Sequence, residues 1–156
     1  MLTVDTVPEL VREAAARFGP ATAIADGAAR VSYAELHERV RTAGRAYLAA
    51  GVRPGDRIAV WARNRAEFVV ALLGAEYVGV AVVPLNTRFR GHEAARILQR
   101  SRAVALVVDD GFLDTDYLGL LRTAAAELTL ASAADANPAA GAATAADPAG
   151  DTSEAG

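Results

Sequence analysis

Apolar residues recur at helical spacing in several segments of the chain, and short apolar runs lie between the later ones. The segments whose spacing is typical of amphipathic helices are about 6–18, 33–50, 66–77, 91–102 and 114–128. The short runs, which predict strands, are 57–61, 80–83 and 104–108. These runs do not alternate between apolar and polar residues, as expected for strands covered by helices on both faces. The pattern predicts an α/β fold: a three-layer unit with at least three parallel strands and flanking helices.

The segment before these runs carries the signals of a small β-ribbon. Two short extended pieces, 21–25 and 30–32, flank the dipeptide Asp26-Gly27. Such a dipeptide readily adopts the positive φ angles of a tight hairpin turn. Ser32 and Glu35 then form a capping box at the start of helix 33–50, which accounts for Glu35 without a functional role.

The sequence changes character near Thr129. Beyond Leu130 it contains no large apolar residue and consists mostly of Ala, Gly, Pro, Asp, Thr and Ser. Such a segment cannot offset the backbone entropy lost on ordering, which is about 1 to 2 kcal/mol per residue. The expectation is therefore a domain over 1–128 and a disordered, low-complexity C-terminal tail over 129–156.

The composition excludes several kinds of chemistry. The chain has no cysteine, and all 16 of its basic residues are arginine, so thiolate and Schiff-base mechanisms are excluded. A formal net charge of −3 gives no reason to expect a nucleic-acid partner. Because no apolar run approaches the roughly 18 residues needed to span a bilayer, we expect no membrane span and a cytoplasmic location.

Several segments, taken in order, resemble AMP-forming acyl-CoA synthetases, the adenylate-forming ligases with an AMP-binding domain. They are 31–36 (VSYAEL), 51–60 (GVRPGDRIAV), 64–68 (NRAEF), 73–89 (LGAEYVGVAVVPLNTRF) and 93–108. The resemblance covers about residues 5–128, and each segment falls at a distance typical of the family. Segments 84–89 and 111–117 are most similar to bacterial ligases that activate fatty, alicyclic or steroid-breakdown carboxylates.

The resemblance implies two half-reactions. A carboxylate attacks the α-phosphate of ATP to give an acyl-adenylate and pyrophosphate, and the thiol of CoA then displaces AMP. A full-length relative would therefore use ATP, Mg²⁺, CoA and a small-molecule carboxylate. The family's phosphate loop, its adenine motif and its C-terminal lysine are absent from this sequence. We therefore expect a truncated piece that holds none of these cofactors alone and is inactive alone, because a transferring phosphoryl group needs an amide cradle and a cation.

Arg88 is the foremost candidate for a binding role, and Asn86 accompanies it. Both lie in the loop after the second predicted strand, and Asn64 follows the first. In similar ligases a basic residue in this segment lies near the nucleotide phosphate of CoA, and a guanidinium suits a phosphate. The alternative is a solvated loop arginine that pairs with a nearby acid. Trp61, at the end of a strand, is interpreted as a packing residue.

No catalytic or metal-binding residue is expected in this chain. His37 and His92 each stand alone on a predicted helix, without a second ligand one turn away. Asp109 and Asp110 are adjacent, so in an extended segment they point to opposite sides and cannot work as a paired acid and base.

Two other hypotheses belong to different functional classes. The chain could be a noncatalytic binding or assembly module, which either binds a nucleotide weakly at the sheet edge or forms half of a split ligase whose remainder is a separate chain. It could instead be the inactive product of a pseudogene or a frameshifted gene.

Overall fold

The computed structural model describes the backbone of residues 4–136 and the side chains of residues 4–126. The helices are α1 (Val7–Phe18), α2 (Tyr33–Ala49), α3 (Ala66–Tyr77), α4 (Gly91–Ser101) and α5 (Tyr117–Ala136). The strands are β1 (Thr22–Asp26), β2 (Ala29–Ser32), β3 (Arg57–Trp61), β4 (Ala81–Pro84) and β5 (Ala105–Val108). A short 3-10 turn, Phe112–Asp114, precedes α5.

The central feature is a three-stranded parallel sheet with the order β4-β3-β5. Strand β3 lies in the middle, with Ile58 opposite Val82 on one side and opposite Ala105 on the other. Because β4 and β5 follow β3 in sequence but flank it in space, helices α3 and α4 serve as the two crossovers. The predicted α/β class and its parallel strands are confirmed.

Strand β3 has its side chains buried on both faces of the sheet. Ile58 and Val60 pack into a cluster with residues of α2 and α3, whereas Ala59 and Trp61 pack into a cluster with residues of α4 and α5. All four side chains are fully buried. This arrangement explains why the strand does not alternate after Arg57: each face needs its own apolar set, so all four following positions are apolar.

Helices α2 and α3 approach each other closely through glycine. A Cβ placed on Gly74 would lie 2.6 Å from the Cβ of Ala43 and 3.3 Å from two backbone atoms of α2. A Cβ on Gly44 would lie 3.1 Å from the carbonyl oxygen of Gly74. The two helices therefore pack backbone against backbone at this crossing, which positions α3 over the sheet.

The predicted β-ribbon is present as the antiparallel pair β1–β2. It also supplies a helix cap that the sequence pattern did not indicate. Helix α3 begins after Arg65, whose side chain caps nothing, and the backbone N–H of Ala66 donates to a carboxylate oxygen of Asp26 at 3.1 Å. The acidic residue of the hairpin turn thus satisfies a free amide of a helix 40 residues away.

The C-terminal part differs from the prediction at both ends of its helix. The predicted start near Asp114 is wrong, because Leu113 and Asp114 have φ angles of 56° and 55°, which are incompatible with a right-handed helix. Helix α5 begins at Tyr117 and ends at Ala136, beyond the predicted end near Leu128, as the helix propensity of its many alanines favours. Residues 129–136 of the predicted tail therefore lie in this helix, and residues 137–156 lie outside the described residues.

Candidate ligand-binding cleft

The loops that leave β3 and β4 run to opposite faces of the sheet. The loop after β3 leads to α3, whose residues pack with Ile58 and Val60, whereas the loop after β4 leads to α4 on the other face. In open α/β sheets, the crevice between two such adjacent strands, at their carboxyl ends, is where ligands bind. A cleft of about 550 Å³ occupies this place. Its lining residues are Ala62, Arg63, Asn64, Phe68, Pro84, Leu85, Asn86, Thr87 and Phe112.

Two buried aromatic side chains support the loop after β4 from below. The indole N–H of Trp61 donates to the carbonyl oxygen of Asn86 at 3.0 Å, and the hydroxyl of Tyr117 donates to the carbonyl oxygen of Thr87 at 3.1 Å. The two rings contact each other edge to face, with their centroids 4.6 Å apart. Trp61 is fully buried, which confirms its interpretation as a packing residue. Its N–H also fixes the position of the loop.

Asn86 shapes the loop that presents Arg88. Its side-chain oxygen accepts a hydrogen bond from the backbone N–H of Arg88 at 2.9 Å, a local turn typical of asparagine. Arg88 itself is exposed, and within the described part of the chain its guanidinium has neither an ion-pair partner nor a hydrogen-bond partner. The described residues therefore do not support the alternative, in which Arg88 pairs with a nearby acid.

Arg63 forms the wall of the cleft on the β3 side. Its Nε lies 2.8 Å from a carboxylate oxygen of Asp109, at the end of β5, and its Cζ lies 5.0 Å from the ring centroid of Phe112. The ion pair and the cation–π contact place the guanidinium between Asp109 and Phe112. Asn64, beside it, is exposed and also lines the cleft.

The two adjacent aspartates have separate structural roles. Asp109 pairs with Arg63, whereas a carboxylate oxygen of Asp110 accepts from the backbone N–H of Tyr117 at 2.9 Å and caps helix α5. The two carboxylates therefore have different partners, and the statement that they do not work as a paired acid and base stays a prediction. The cap also orients the first turn of α5, which carries the supporting hydroxyl of Tyr117.

One exposed ion pair lies next to the cleft. A hydrogen bond from Arg65 to the carboxylate of Glu67 lowers the pKa of Glu67 and raises the pKa of Arg65. Both side chains stay charged near neutral pH, so neither is adapted to accept or donate a proton there.

Histidine and acidic residues do not cluster in this region. Among residues 4–126, whose side chains are described, no group of three histidine, aspartate or glutamate residues is placed to hold a metal ion. The ring of His37 packs near that of Tyr77, with centroids 6.1 Å apart, and its Nε2 is buried without a hydrogen-bond partner. Among the described helices, none combines the length and apolar character needed to cross a membrane.

The structure brings Asn64 and Asn86, which both follow strand ends, to one cleft, with Arg88 in the next turn. The binding roles expected for these residues stay predictions. The roles of Tyr117, Phe112 and the Arg63–Asp109 pair were missed. The only available signal is that Asp109 directly follows β5 and Arg63 lies two residues after the end of β3, which for parallel strands places them at the same edge.

The fold is that of an α/β protein with a parallel sheet, and the cleft lies at the edge of the sheet where proteins of this class bind ligands. Residues 11–154 match the family described as AMP-binding enzyme. This chain belongs to that family, and the family predicted from the sequence is confirmed. The matched region ends inside the segment predicted as a tail, and the domain boundary at residue 128 stays a prediction.

Two curated relatives are acyl-CoA ligases. The 3-[(3aS,4S,7aS)-7a-methyl-1,5-dioxo-octahydro-1H-inden-4-yl]propanoyl:CoA ligase of Rhodococcus jostii (strain RHA1) is 46% identical over 117 residues, which are 75% of this chain and 23% of that protein. The ligase of the same name from Mycobacterium tuberculosis (strain ATCC 25618 / H37Rv) is 38% identical over 120 residues, 77% of this chain and 24% of that protein. The chain thus spans about a quarter of the length of these relatives.

A solved structure agrees with this assignment. A benzoate CoA ligase from Burkholderia xenovorans LB400 superposes with a TM-score of 0.70 at 28% identity, over 78% of this chain and 25% of that one. The parallel sheet and its flanking helices are therefore those of the N-terminal part of adenylate-forming enzymes.

Proposed function

We propose that this chain is a scaffold segment of an acyl-CoA synthetase, the ligase that converts a carboxylate, ATP and CoA into acyl-CoA, AMP and pyrophosphate. The observation that carries the proposal is the 46% identity to a CoA ligase across three quarters of the chain. The segment would supply the sheet, the supported loop after β4 and one contact to CoA. The phosphate loop, the adenine motif and the C-terminal lysine would be supplied by other parts of a complete ligase.

The contact to CoA is assigned to Arg88. A phosphate prefers a guanidinium that is free to form charge-assisted hydrogen bonds, and Arg88 has no competing acid among the described residues. The loop beneath it is held at the carbonyls of Asn86 and Thr87, so little loop ordering would be needed on binding. Asn86 acts as a positioning residue, since its side chain holds the backbone N–H of Arg88.

ATP and magnesium have no comparable site in the described residues. Transfer at a phosphate requires a preorganised cation and amide donors, and magnesium is held by carboxylates and substrate phosphates. The chain has no lysine, and its described acids form no metal-binding group. We therefore propose that the isolated chain does not form an acyl-adenylate, and that ATP, Mg²⁺ and the carboxylate are bound by other parts of a complete ligase. A cytoplasmic location remains a prediction from the sequence.

A chimeric enzyme tests the scaffold role. Residues of this chain would replace the aligned 117-residue segment of the Rhodococcus jostii ligase, and acyl-CoA formation from the parent enzyme's substrate would be measured. An active chimera, together with no ATP–pyrophosphate exchange by the isolated chain, is the expected result. Exchange by the isolated chain, or a folded but inactive chimera, would contradict the proposal.

The same chimera tests Arg88. Arg88→Ala should raise the KM for CoA about tenfold while leaving the KM for ATP unchanged, since a hydrogen bond to a charged group contributes about 1.5–3 kcal/mol. Arg96→Ala, which removes an exposed arginine from α4, serves as the matched control. An unchanged KM for CoA in the Arg88 variant would remove the assignment.

A second candidate, an assembly module that complements the remainder of a ligase as a separate chain, is favoured by an apolar groove. The groove, about 610 Å³, lies between α2 and α3 beside β5, and its apolar lining includes Ala46, Tyr47, Val70 and Val107. In the described residues β5 pairs with β3 alone, so its outer edge is free for another strand.

Co-expression with the remainder of the Rhodococcus jostii ligase tests this candidate. Co-purification and recovered ATP–pyrophosphate exchange would support it. Ala46→Arg, in the groove, should abolish the association, whereas Ala49→Arg, exposed on the same helix outside the groove, should not. Failure of the two pieces to associate would count against it.

A further inference from the structure

Strand β5 presents unpaired backbone groups along its outer edge. The N–H of Asp109, directly after the strand, donates to the carbonyl oxygen of Trp61 at 3.0 Å, so the backbone of Asp109 faces β3. Since successive residues of a strand direct their backbone groups to opposite sides, the N–H and C=O groups of Leu106 and Val108 point away from β3. Within the described part of the chain β5 pairs with β3 alone, so these groups meet no other strand.

The edge formed by β4, on the other side of the sheet, is protected where that of β5 is not. The N–H of Ala81 donates to the carbonyl oxygen of Asp56 at 2.9 Å, so Val82 and Pro84 are the residues of β4 that face outward. Proline has no N–H, which blunts this edge. Strand β5 contains no proline and no charged residue, and its register with β3 is regular. A further strand would therefore pair with β5.

Opposite charges mark the two ends of β5. Arg102 lies shortly before the strand and Asp110 shortly after it, and both residues are exposed. An antiparallel pair of two copies sets the basic end of each strand beside the acidic end of the other, whereas a parallel pair would place like charges together. Arg102 has no ion-pair partner among the described residues, so its charge is available for this contact. The edge is therefore complementary to a second copy of itself.

We propose that the chain forms a two-fold dimer in which β5 of one protomer pairs antiparallel with β5 of its partner and joins the two three-stranded sheets. With Leu106 opposite the partner's Val108, both outward-facing residues of each copy exchange hydrogen bonds with the partner. The side chain of Val107 then lies against the partner's Val107, and because Val107 lines the apolar groove beside α2 and α3, the two grooves meet on one face of the sheet. The inference goes beyond the proposed function and does not depend on it.

Sedimentation equilibrium of the full chain over a range of concentrations tests the proposal. A reversible equilibrium between monomer and dimer is expected, with no larger species, because a two-fold interface is closed. Hydrogen exchange at high and at low protein concentration then locates the contact. The amides of Leu106 and Val108 should exchange more slowly as the dimer forms, whereas the amide of Val82, on the β4 edge, should exchange at the same rate.

Charge reversal tests the direction of the pairing. Arg102→Asp should weaken dimerisation about tenfold, because two symmetric contacts change from attraction to repulsion. Asp110→Arg should do the same, although it also removes the cap of α5. An equimolar mixture of the two variants should regain the affinity of the parent chain, since one variant then has only acidic ends and the other only basic ends, and a folding defect would not be repaired in this way. Arg96→Asp, exposed on α4, is the matched control and should dimerise as the parent does.

A chain that stays monomeric at every concentration would overturn the inference, and so would association that continues beyond the dimer. A dimer in which Leu106 and Val108 exchange as fast as in the monomer would reject the β5 pairing. Failure of the mixed variants to dimerise more tightly than either variant alone would reject the antiparallel direction. A monomeric chain that nevertheless binds the remainder of the Rhodococcus jostii ligase would assign the edge to that partner and not to a second copy.

Discussion

Replacement of Gly74 by alanine would bring the backbones of α2 and α3 into conflict. The new Cβ would lie 2.6 Å from the Cβ of Ala43, and 3.3 Å from the backbone nitrogen of Gly44 and from the carbonyl oxygen of Val40. Two nonbonded carbon atoms do not approach within 2.6 Å in folded proteins, so the helices must separate. Since α3 covers one face of β3, this movement would also loosen the packing over Ile58 and Val60.

Two opposing effects determine the size of the change. Alanine in place of glycine inside a helix stabilises by about 1 kcal/mol, whereas overpacking costs about 1–3 kcal/mol. Gly74→Ala should therefore lower the free energy of unfolding by about 0–2 kcal/mol, with the sign set by the clash. The double variant Ala43→Gly/Gly74→Ala removes the closest contact, and we expect a favourable coupling energy of about 1 kcal/mol between the two sites.

Urea unfolding followed by the fluorescence of Trp61, the single tryptophan, measures each of these free energies. Ala46→Gly, at an exposed position of α2, gives the cost of glycine in that helix without a change at the crossing. Clear stabilisation in Gly74→Ala, or a coupling energy near zero, would refute the close approach of the two helices.

Two further predictions concern hydrogen bonds between distant elements. Asp26→Ala should lower the free energy of unfolding by about 1 kcal/mol, because the N–H of Ala66 loses its cap. Asp26→Asn keeps an oxygen acceptor and should lower it less. Equal losses in urea unfolding would contradict the capping role. Tyr117→Phe should lower the free energy of unfolding by about 1–2 kcal/mol, because the carbonyl of Thr87 loses its donor. Hydrogen exchange should also show faster opening of residues 86–90. Unchanged exchange there would mean that the hydroxyl does not support the loop.

The sheet was predictable because its sequence signal is local. Each strand is a short apolar run bounded by turn residues, as in Arg57–Trp61 after the turn at Gly55. Each crossover helix has its own apolar positions. Strand order was not predictable in this way, because which neighbour β5 pairs with depends on the packing of α4 and α5 against the sheet.

Only part of the cleft could be predicted from the sequence, for the same reason. Asn64, Asn86 and Arg88 follow strands, so topology alone places them at one edge. The contacts that hold the loop join residues far apart in the chain: the Tyr117 hydroxyl reaches Thr87 over 30 positions, and the Trp61 indole reaches Asn86 over 25. No spacing rule indicates such pairs, and an aromatic residue in a run of apolar residues is first interpreted as core.

Capping residues illustrate the same limit. The hydroxyl of Ser32 caps α2 as its local pattern predicts, whereas the Glu35 carboxylate pairs with Arg39 and does not return to the cap. The cap of α3 comes from Asp26, in another element. A pattern read over four residues finds only the donors and acceptors that lie within those four residues.

The support of the β4 loop by Tyr117 sets a minimum length for any piece of this protein that retains the cleft. A fragment that stops after β5 would still contain all three strands of the sheet. Its loop after β4, however, would have lost one of its two supporting hydrogen bonds, and the Phe112 ring that contacts Arg63 would be missing. Dissection of this protein into smaller parts should therefore cut beyond the first turn of α5.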